Sequence, residues 1–413
     1  MGDFFQAGVV TTLHNLVDRP TTELETELQR FSTQRPMGLI LPSLYSELSR
    51  PALENIVSVL ADVPYLQQIV VGLDRADEKE FQHALEFFGR LPQQVDVLWN
   101  DGPRLRAIDR QLKEEDIAPT ILGKGRNVWY CLGYMLALNN CEAIAIHDCD
   151  IVTYQSSLLA RLIYPVANPN FDYQFCKGYY ARINADHITH QGQLRGRVAR
   201  LMVTPLIRSL KRVLGPIPYL DYLDSFRYPL AGEFSFRKDV IQGLRIPSDW
   251  GLEIGILSEL ERNYALNKLC QVDIADIYDH KHQDLSANNP TEGLSRMSID
   301  IAKAVFRKLA TYGTVFNQET FRSIKAAYFR HALELIETYR NDSMMNGLVF
   351  DTHAEEQAVE LFAANIMKAG EFFLNNPMET PFIPSWNRAI SAIPDVLDQM
   401  KAAVAADAQE FKS

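Results

Sequence analysis

The chain is poor in the features that mark several protein classes. Its five cysteines, Cys131, Cys141, Cys149, Cys176 and Cys270, form no CxxC pair. An odd count without paired spacing argues against a disulfide framework and fits a reducing compartment, so a cytoplasmic protein is expected. Basic residues are outnumbered, 41 Lys and Arg against 52 Asp and Glu, for a formal net charge of -11. Nucleic acid and anionic membrane both need a concentrated basic surface, so neither partner is expected. The opening MGDFFQAGVVTTLHNL lacks a basic leader and a long apolar run. Neither a signal peptide nor a transmembrane helix is expected there. Gln6 stands where a myristoylation pattern wants Ser or Thr. Internal repeats, low-complexity tracts and the GxxxxGK[ST] phosphate loop are missing too. What is present is a 413-residue chain, 47% hydrophobic and 23% charged, long enough to bury one large core or two moderate ones.

Residues 1–36 read as a helical lead-in, capped near Thr21-Thr22-Glu23 and ending near Arg35-Pro36. An alternation follows. Strands are predicted at 37–41 (ended by Pro42), 66–73, 95–99 and 143–146, with helices at 49–62, 78–88 and 125–139 between them. This order predicts an α/β fold with a doubly wound, mainly parallel, Rossmann-like sheet. Beyond it, 173–180, 234–236 and 268–278 read as strands, 199–213 as a basic amphipathic helix and 252–266 as a further helix. From about Ser295 every segment reads as helical. The expected division is a lead-in at 1–36, an α/β body at 37–290 and a helical C-terminal region at 291–413, whose amphipathic helices cover the body or a dimer partner.

The chemistry centres on EAIAIHDCDIVT, residues 142–153. A short apolar strand stops at His147, and residues two apart point the same way, so Asp148 and Asp150 can converge beyond the carboxyl end of the sheet. Open α/β sheets bind ligands there, and two carboxylates suit Mg²⁺ or Mn²⁺ with a diphosphate. A solvated strand-end turn is the plainer alternative. His280 or His282, in YDHKHQDL, could complete the metal site. Lys124, between Gly123 and Gly125, offers a point charge to a phosphate at a helix start. Arg195, Arg197 and Arg200, in GQLRGRVAR, could embrace a phosphorylated or carboxylated acceptor, or simply begin a solvated basic helix. Glu233 and Glu253, in PLAGEF and WGLEIG, could bind sugar hydroxyls or hold other groups in place; Glu253 could equally be a helix N-terminal residue.

LPSLYSEL at 41–48, GKG at 123–125, DCD at 148–150, GRV at 196–198, PLAGEF at 229–234, GLEIGIL at 251–257 and the DH of 279–280 occur in an order that resembles glucosyl-3-phosphoglycerate synthases. The resemblance spans about 37–290. It implies a retaining GT-A glycosyltransferase that uses Mg²⁺ or Mn²⁺ to move glucose from UDP-glucose to the 2-hydroxyl of 3-phosphoglycerate. Related enzymes make mannosyl-3-phosphoglycerate, and a glucosylglycerate synthase or a catalytically silent nucleotide-sugar-binding protein are further readings. Carried over by position, Pro42, Ser43 and Glu47 line the uridine pocket, and Lys124 contacts the nucleotide. Asp150 and His280 become metal ligands, with Asp148 supporting the nucleotide-sugar end. Gly196 and Arg197, with Arg195 of the same loop, receive the acceptor, Gly232 of PLAGEF is a further substrate-binding residue, and Glu253 approaches the transferring hexose. A threonine commonly follows GRV in the family and can bind the acceptor; Ala199 lacks that hydroxyl. A homodimer is expected.

Overall fold

The computed structural model describes residues 6, 8–119, 121–184, 192–280, 293–377 and 382–411. His282 and the 290/291 boundary lie outside the described residues. In chain order the strands are β1 (Thr11–Leu13), β2 (Met37–Leu44), β3 (Leu66–Asp74), β4 (Gln94–Trp99), β5 (Ala143–Ile146), β6 (Phe175–Asn184), β7 (Gln193–Leu194), β8 (Phe234–Arg237), β9 (Ile246–Pro247), β10 (Leu269–Tyr278) and β11 (Phe382–Ile383). The main sheet has the order β1-β10-β6-β8-β5-β2-β3-β4, with β7 added to β6; β9 and β11 form a separate antiparallel pair.

The apolar runs make central strands because both of their faces are covered. Ile40, Val70, Leu98 and Ile144 point into one hydrophobic cluster. Leu39, Leu41, Ile69, Val71, Val97 and Ala145 point into the other, the two-residue alternation of a pleated strand. The second cluster is sealed by helices Thr21–Ser32, Pro51–Ala61, Glu78–Phe88 and Ser156–Ala167. The first is sealed by Pro103–Glu114 and Lys124–Leu138, and runs on into the C-terminal helices through Phe321, Phe362 and Met400. Those helices therefore complete the core of the body.

Several elements depart from the expected reading. The lead-in is not wholly helical, since Thr11–Leu13 adds a parallel edge strand to β10, and its helix is preceded by Pro20 with no side-chain cap. Pro42 does not end its strand. Beyond Ile40 the β5 side of β2 is unpaired and only β3 continues, so a residue without an N–H is tolerated. The basic helix opens as a π-helical turn, Val198–Val203, before Thr204–Leu214. Among the described residues after Ser295 a short strand, β11, interrupts the helices, and Pro394 separates Trp386–Ala392 from Val396–Phe411.

The sheet is mostly parallel, but β8 runs antiparallel between β5 and β6, with Phe234 opposite both Ile146 and Lys177. The segment entering β8 therefore lies beside the segment leaving β5. The C-terminal region also grips the helix that starts at Lys124. Trp386 stacks on Trp129 with ring centroids 4.0 Å apart. Each indole N–H donates to the other segment's backbone, Trp386 to the Trp129 carbonyl and Trp129 to the Pro384 carbonyl, both at 2.9 Å. Among the described residues no helix is long and apolar enough to cross a membrane.

Candidate active site

Where β5 stops, four elements converge. Asp148 leaves β5, and its Oδ1 lies 2.6 Å from Lys124 Nζ at the first position of helix Lys124–Leu138. The same ammonium reaches Oε1 of Glu253, 3.5 Å away, in the first turn of helix Leu252–Asn263. Burial opposes both charges of the pair. The Lys124 ammonium outweighs it at Asp148 and holds that carboxyl below the usual range. Asp148 and Glu253 in turn hold Lys124 well above its ordinary value, so it stays cationic.

Gly232, just ahead of β8, closes over this pair. A Cβ at that position would stand 2.8 Å from both Lys124 Nζ and Asp148 Oδ2. Only a glycine allows the backbone so near the two charges. The next residue, Glu233, is fully buried and accepts a 2.5 Å hydrogen bond from the Tyr278 hydroxyl. Burial, reinforced by the Asp148 charge, raises its pKa.

Asp150 and His280 sit on the other side of Asp148. Ile151 forms an antiparallel bridge with His280, and Val152 N–H donates to the Asp279 carbonyl at 2.8 Å, which ties the end of β10 to the DCD turn. One donor atom each from Asp148, Asp150 and His280 lies within 4.8 Å of the others. Both ring nitrogens of His280 are buried and have no hydrogen-bond partner among the described residues. Buried polar atoms are rarely left so unless a ligand takes them. Two carboxylates and one imidazole suit Mn²⁺ or Mg²⁺, so these residues fit the metal that the resemblance implies. His147, by contrast, is fully buried, bonded to Tyr154 Oη at 3.0 Å, and pulled down to about 4 by burial. It is a neutral packing residue.

The remaining expected residues lie on either side of this centre. Pro42 and Ser43 occupy the free end of β2, and the Ser43 hydroxyl faces the Cys149 thiol. Glu47, in the short helix Tyr45–Glu47, is buried and paired with Arg50 at 3.3 Å. Opposite, Arg195 and Arg182 lie in electrostatic reach of Asp279, beside His280. Gly196 turns with φ +75°, where a Cβ would meet the Tyr228 hydroxyl at 2.9 Å. Arg197 Nε donates to Glu355 Oε1 at 2.7 Å, and Ala199 is buried.

Two participants escaped the sequence reading. Lys177, inside β6, is buried and donates to the Ala231 carbonyl at 2.5 Å; burial pulls it down to about 8 although Glu253 and Glu233 oppose this. A lysine within the apolar FCKGYY run was its signal. Glu355, 158 residues beyond Arg197, had none.

No protein-family model matches the chain. It is 46% identical over 407 residues, 98% of this chain and 99% of the relative, to the glucosyl-3-phosphoglycerate synthase of Persephonella marina. The chain belongs to the glucosyl-3-phosphoglycerate synthase family. Its members are glycosyltransferases. The synthase of Methanococcoides burtonii is 38% identical over 413 residues, 99% of each chain. The solved Mycobacterium tuberculosis synthase, in complex with Mn²⁺, UDP-glucose and phosphoglyceric acid, matches with a TM-score of 0.52 at 18% identity, over 72% of this chain and 87% of that one. That likeness places the present fold among glucosyl-3-phosphoglycerate synthase structures. Another complex of the same enzyme holds Mg²⁺ and UDP, with a TM-score of 0.51 at 19% identity, over 73% of this chain and 86% of that one.

Proposed function

We propose that this chain transfers glucose from UDP-glucose to the 2-hydroxyl of 3-phosphoglycerate, with retention at the anomeric carbon. The observation that carries this reading is the Lys124–Asp148 pair set beside the Asp150/His280 cluster where β5 ends. The names and ligands of the relatives supply the substrate class.

In this reading Asp150 and His280, with Asp148 adjacent, hold Mg²⁺ or Mn²⁺, which supplies Lewis-acid charge to the diphosphate. Pro42, Ser43 and Glu47 receive the uridine. Lys124, kept protonated by its two carboxylates, adds a fixed positive charge where the UDP leaving group becomes more negative. Glu253 approaches the glucose from the opposite side of Lys124, and Gly232 leaves room for the sugar-phosphate end. Arg195, Gly196 and Arg197 take the acceptor anion.

Same-face attack fits this set. The bond from C1 to the UDP oxygen breaks, the bond from C1 to the acceptor oxygen forms, and the acceptor proton passes to the departing phosphate oxygen. Lys124 engages both Asp148 and Glu253, Glu233 accepts from the Tyr278 hydroxyl and Asp150 belongs to the metal cluster, so each carboxylate among the described site residues already has a partner or a ligand role in this reading and none is assigned as nucleophile.

The test is a matrix of UDP-glucose and GDP-mannose against 3-phosphoglycerate and glycerate, read by nucleoside diphosphate release, with the product anomer determined by NMR. Turnover of UDP-glucose with 3-phosphoglycerate to the α-anomer is expected. Preference for another pair, or binding without any turnover, would overturn the assignment.

Three coarser expectations join this proposal. The 37–290 body carries the chemistry, with 1–36 and 291–413 packed onto it. Five buried free thiols support a cytoplasmic setting. Half-exposed Phe329, Leu333 and Phe372 on the C-terminal helices support a homodimer, which static light scattering of the purified protein would test by its mass.

A further inference from the structure

The acceptor loop does not hold itself. Among the described residues, 192–203 are fastened to the C-terminal region at four points, one in the connection between two of its helices and three on the helices themselves. Val349 N–H donates to the Gly192 carbonyl at 2.9 Å, and Gln193 bridges Val349 in parallel. The Tyr328 hydroxyl donates to the Leu201 carbonyl at 2.6 Å. The guanidinium of Arg200 lies 4.8 Å above the Tyr339 ring. The fourth point is ionic. Glu355, in the first turn of helix Thr352–Asn375, accepts from Arg197 Nε at 2.7 Å through one oxygen and from Arg200 Nη2 at 3.0 Å through the other. Glu355 is 4% exposed, so this carboxylate bridge is shielded from water.

A loop built to receive an anionic acceptor gathers Arg195, Arg197 and Arg200 within six residues, next to Arg182. Like charges this close repel, and burial strengthens the repulsion. Arg200 is anchored by donating its Nε to the Arg195 carbonyl at 2.7 Å. Among the described residues, Arg197 is joined to it through the shared carboxylate. The first turn of a helix is also where a negative charge is favoured.

We infer that Glu355 is a positioning residue for acceptor recognition: its carboxylate, brought in by the C-terminal helices, orients Arg197 through the Arg200 anchor so that the loop presents a set arginine geometry to the phosphate or carboxylate of the acceptor. The inference rests on the acceptor loop proposed above. It makes the C-terminal helices part of acceptor recognition as well as of the core.

The test compares Glu355→Gln, Glu355→Asp and Arg197→Ala in the full-length enzyme. Glu355→Gln keeps the shape and removes the charge, and is expected to raise the KM for 3-phosphoglycerate about tenfold while the KM for UDP-glucose and kcat stay within about twofold. Glu355→Asp keeps the charge on a shorter arm and falls between the two. Arg197→Ala separates the two levels of the argument. If it raises the acceptor KM and Glu355→Gln does not, the positioning role is overturned while the acceptor loop stands. If Arg197→Ala leaves the acceptor KM unchanged, the acceptor loop itself is misassigned and the inference falls with it. Equal loss toward both substrates in Glu355→Gln, together with a lowered thermal midpoint, would reduce Glu355 to a structural ion pair. Should Glu355→Gln not fold, Glu355→Asp carries the same reading: an acceptor-specific rise supports the role and an unchanged acceptor KM overturns it.

Discussion

The proposed donor end and the proposed acceptor end of this site are built in different ways. At the proposed donor end, Lys124 opens a helix, Glu253 lies in the first turn of another, and Asp148 and Asp150 follow within four residues of the end of β5, whose residues are all buried. Their positions follow from the sheet, and short hydrogen bonds only trim them. At the acceptor end, Gly196 and Arg197 sit on a turn followed by a π-helical segment, and contacts from residues 328–355 hold that turn in place. One end is rigid by birth; the other is rigid by attachment. A substitution should therefore stay local at the donor end, whereas the acceptor end should respond to changes made far along the chain.

The strongest way to break this contrast is at the metal cluster. Asp150→Ala should lower turnover about a thousandfold, with the fold retained by circular dichroism, because in the proposed reading the variant loses a ligand to the metal whose charge stabilises the leaving group. Full activity would remove Asp150 from the site. Gly232→Ala comes next. The added methyl would press on the tips of Lys124 and Asp148, which can swing aside, so the thermal midpoint should hold while kcat falls about 10- to 100-fold through misplaced charge. A drop in stability without loss of kcat would mean that the glycine serves packing alone. Arg197→Ala, smaller again, should raise the acceptor KM about tenfold and leave the UDP-glucose KM nearly unchanged.

The smallest effect lies at the seam between the two ends. Asp249 precedes the Glu253 helix, and burial together with the Asp300 charge on helix Gly293–Thr311 pushes it up to about 6 from 3.8. The folded protein then binds the proton more tightly than the unfolded chain between those values. Stability is highest below the lower value and falls as pH rises through the upper one. Asp249→Asn, which can still accept from Gly251 N–H, should therefore be more stable by about 1–2 kcal/mol at pH 7.5, with the gain shrinking to nothing toward pH 4. Thermal midpoints of the two proteins across that range would measure it.

How much could be read in advance follows the same division. Asp148, Asp150 and Lys124 were legible because local pattern alone, an apolar strand ending in DCD and a glycine-flanked lysine opening a helix, places them at one end of a sheet. The direction of β8 was not, since a four-residue apolar strand carries no sign of parallel or antiparallel pairing. That direction is what brings Gly232 and Glu233 beside Asp148. The strand at Thr11–Leu13 was hidden because an edge strand of three residues has no periodicity to read. Pro42 misled for a physical reason: proline normally stops a strand, and here it sits where one side of the strand is already free. Glu355 was beyond reach, since nothing in AEEQAVE distinguishes a carboxylate aimed at two arginines from a solvated one.

The Trp129–Trp386 stack gives the C-terminal attachment an optical signature. Two indoles 4.0 Å apart and 21° from parallel are close enough to couple their electronic transitions, and an edge contact with Tyr130 adds to the asymmetry around them. Near-ultraviolet circular dichroism should carry a signal from this pair that vanishes when Trp386 lifts from the helix that begins at Lys124. The enzyme thus holds an intrinsic gauge of whether its last helices are seated, readable without label or substrate while the rest of the sheet remains folded.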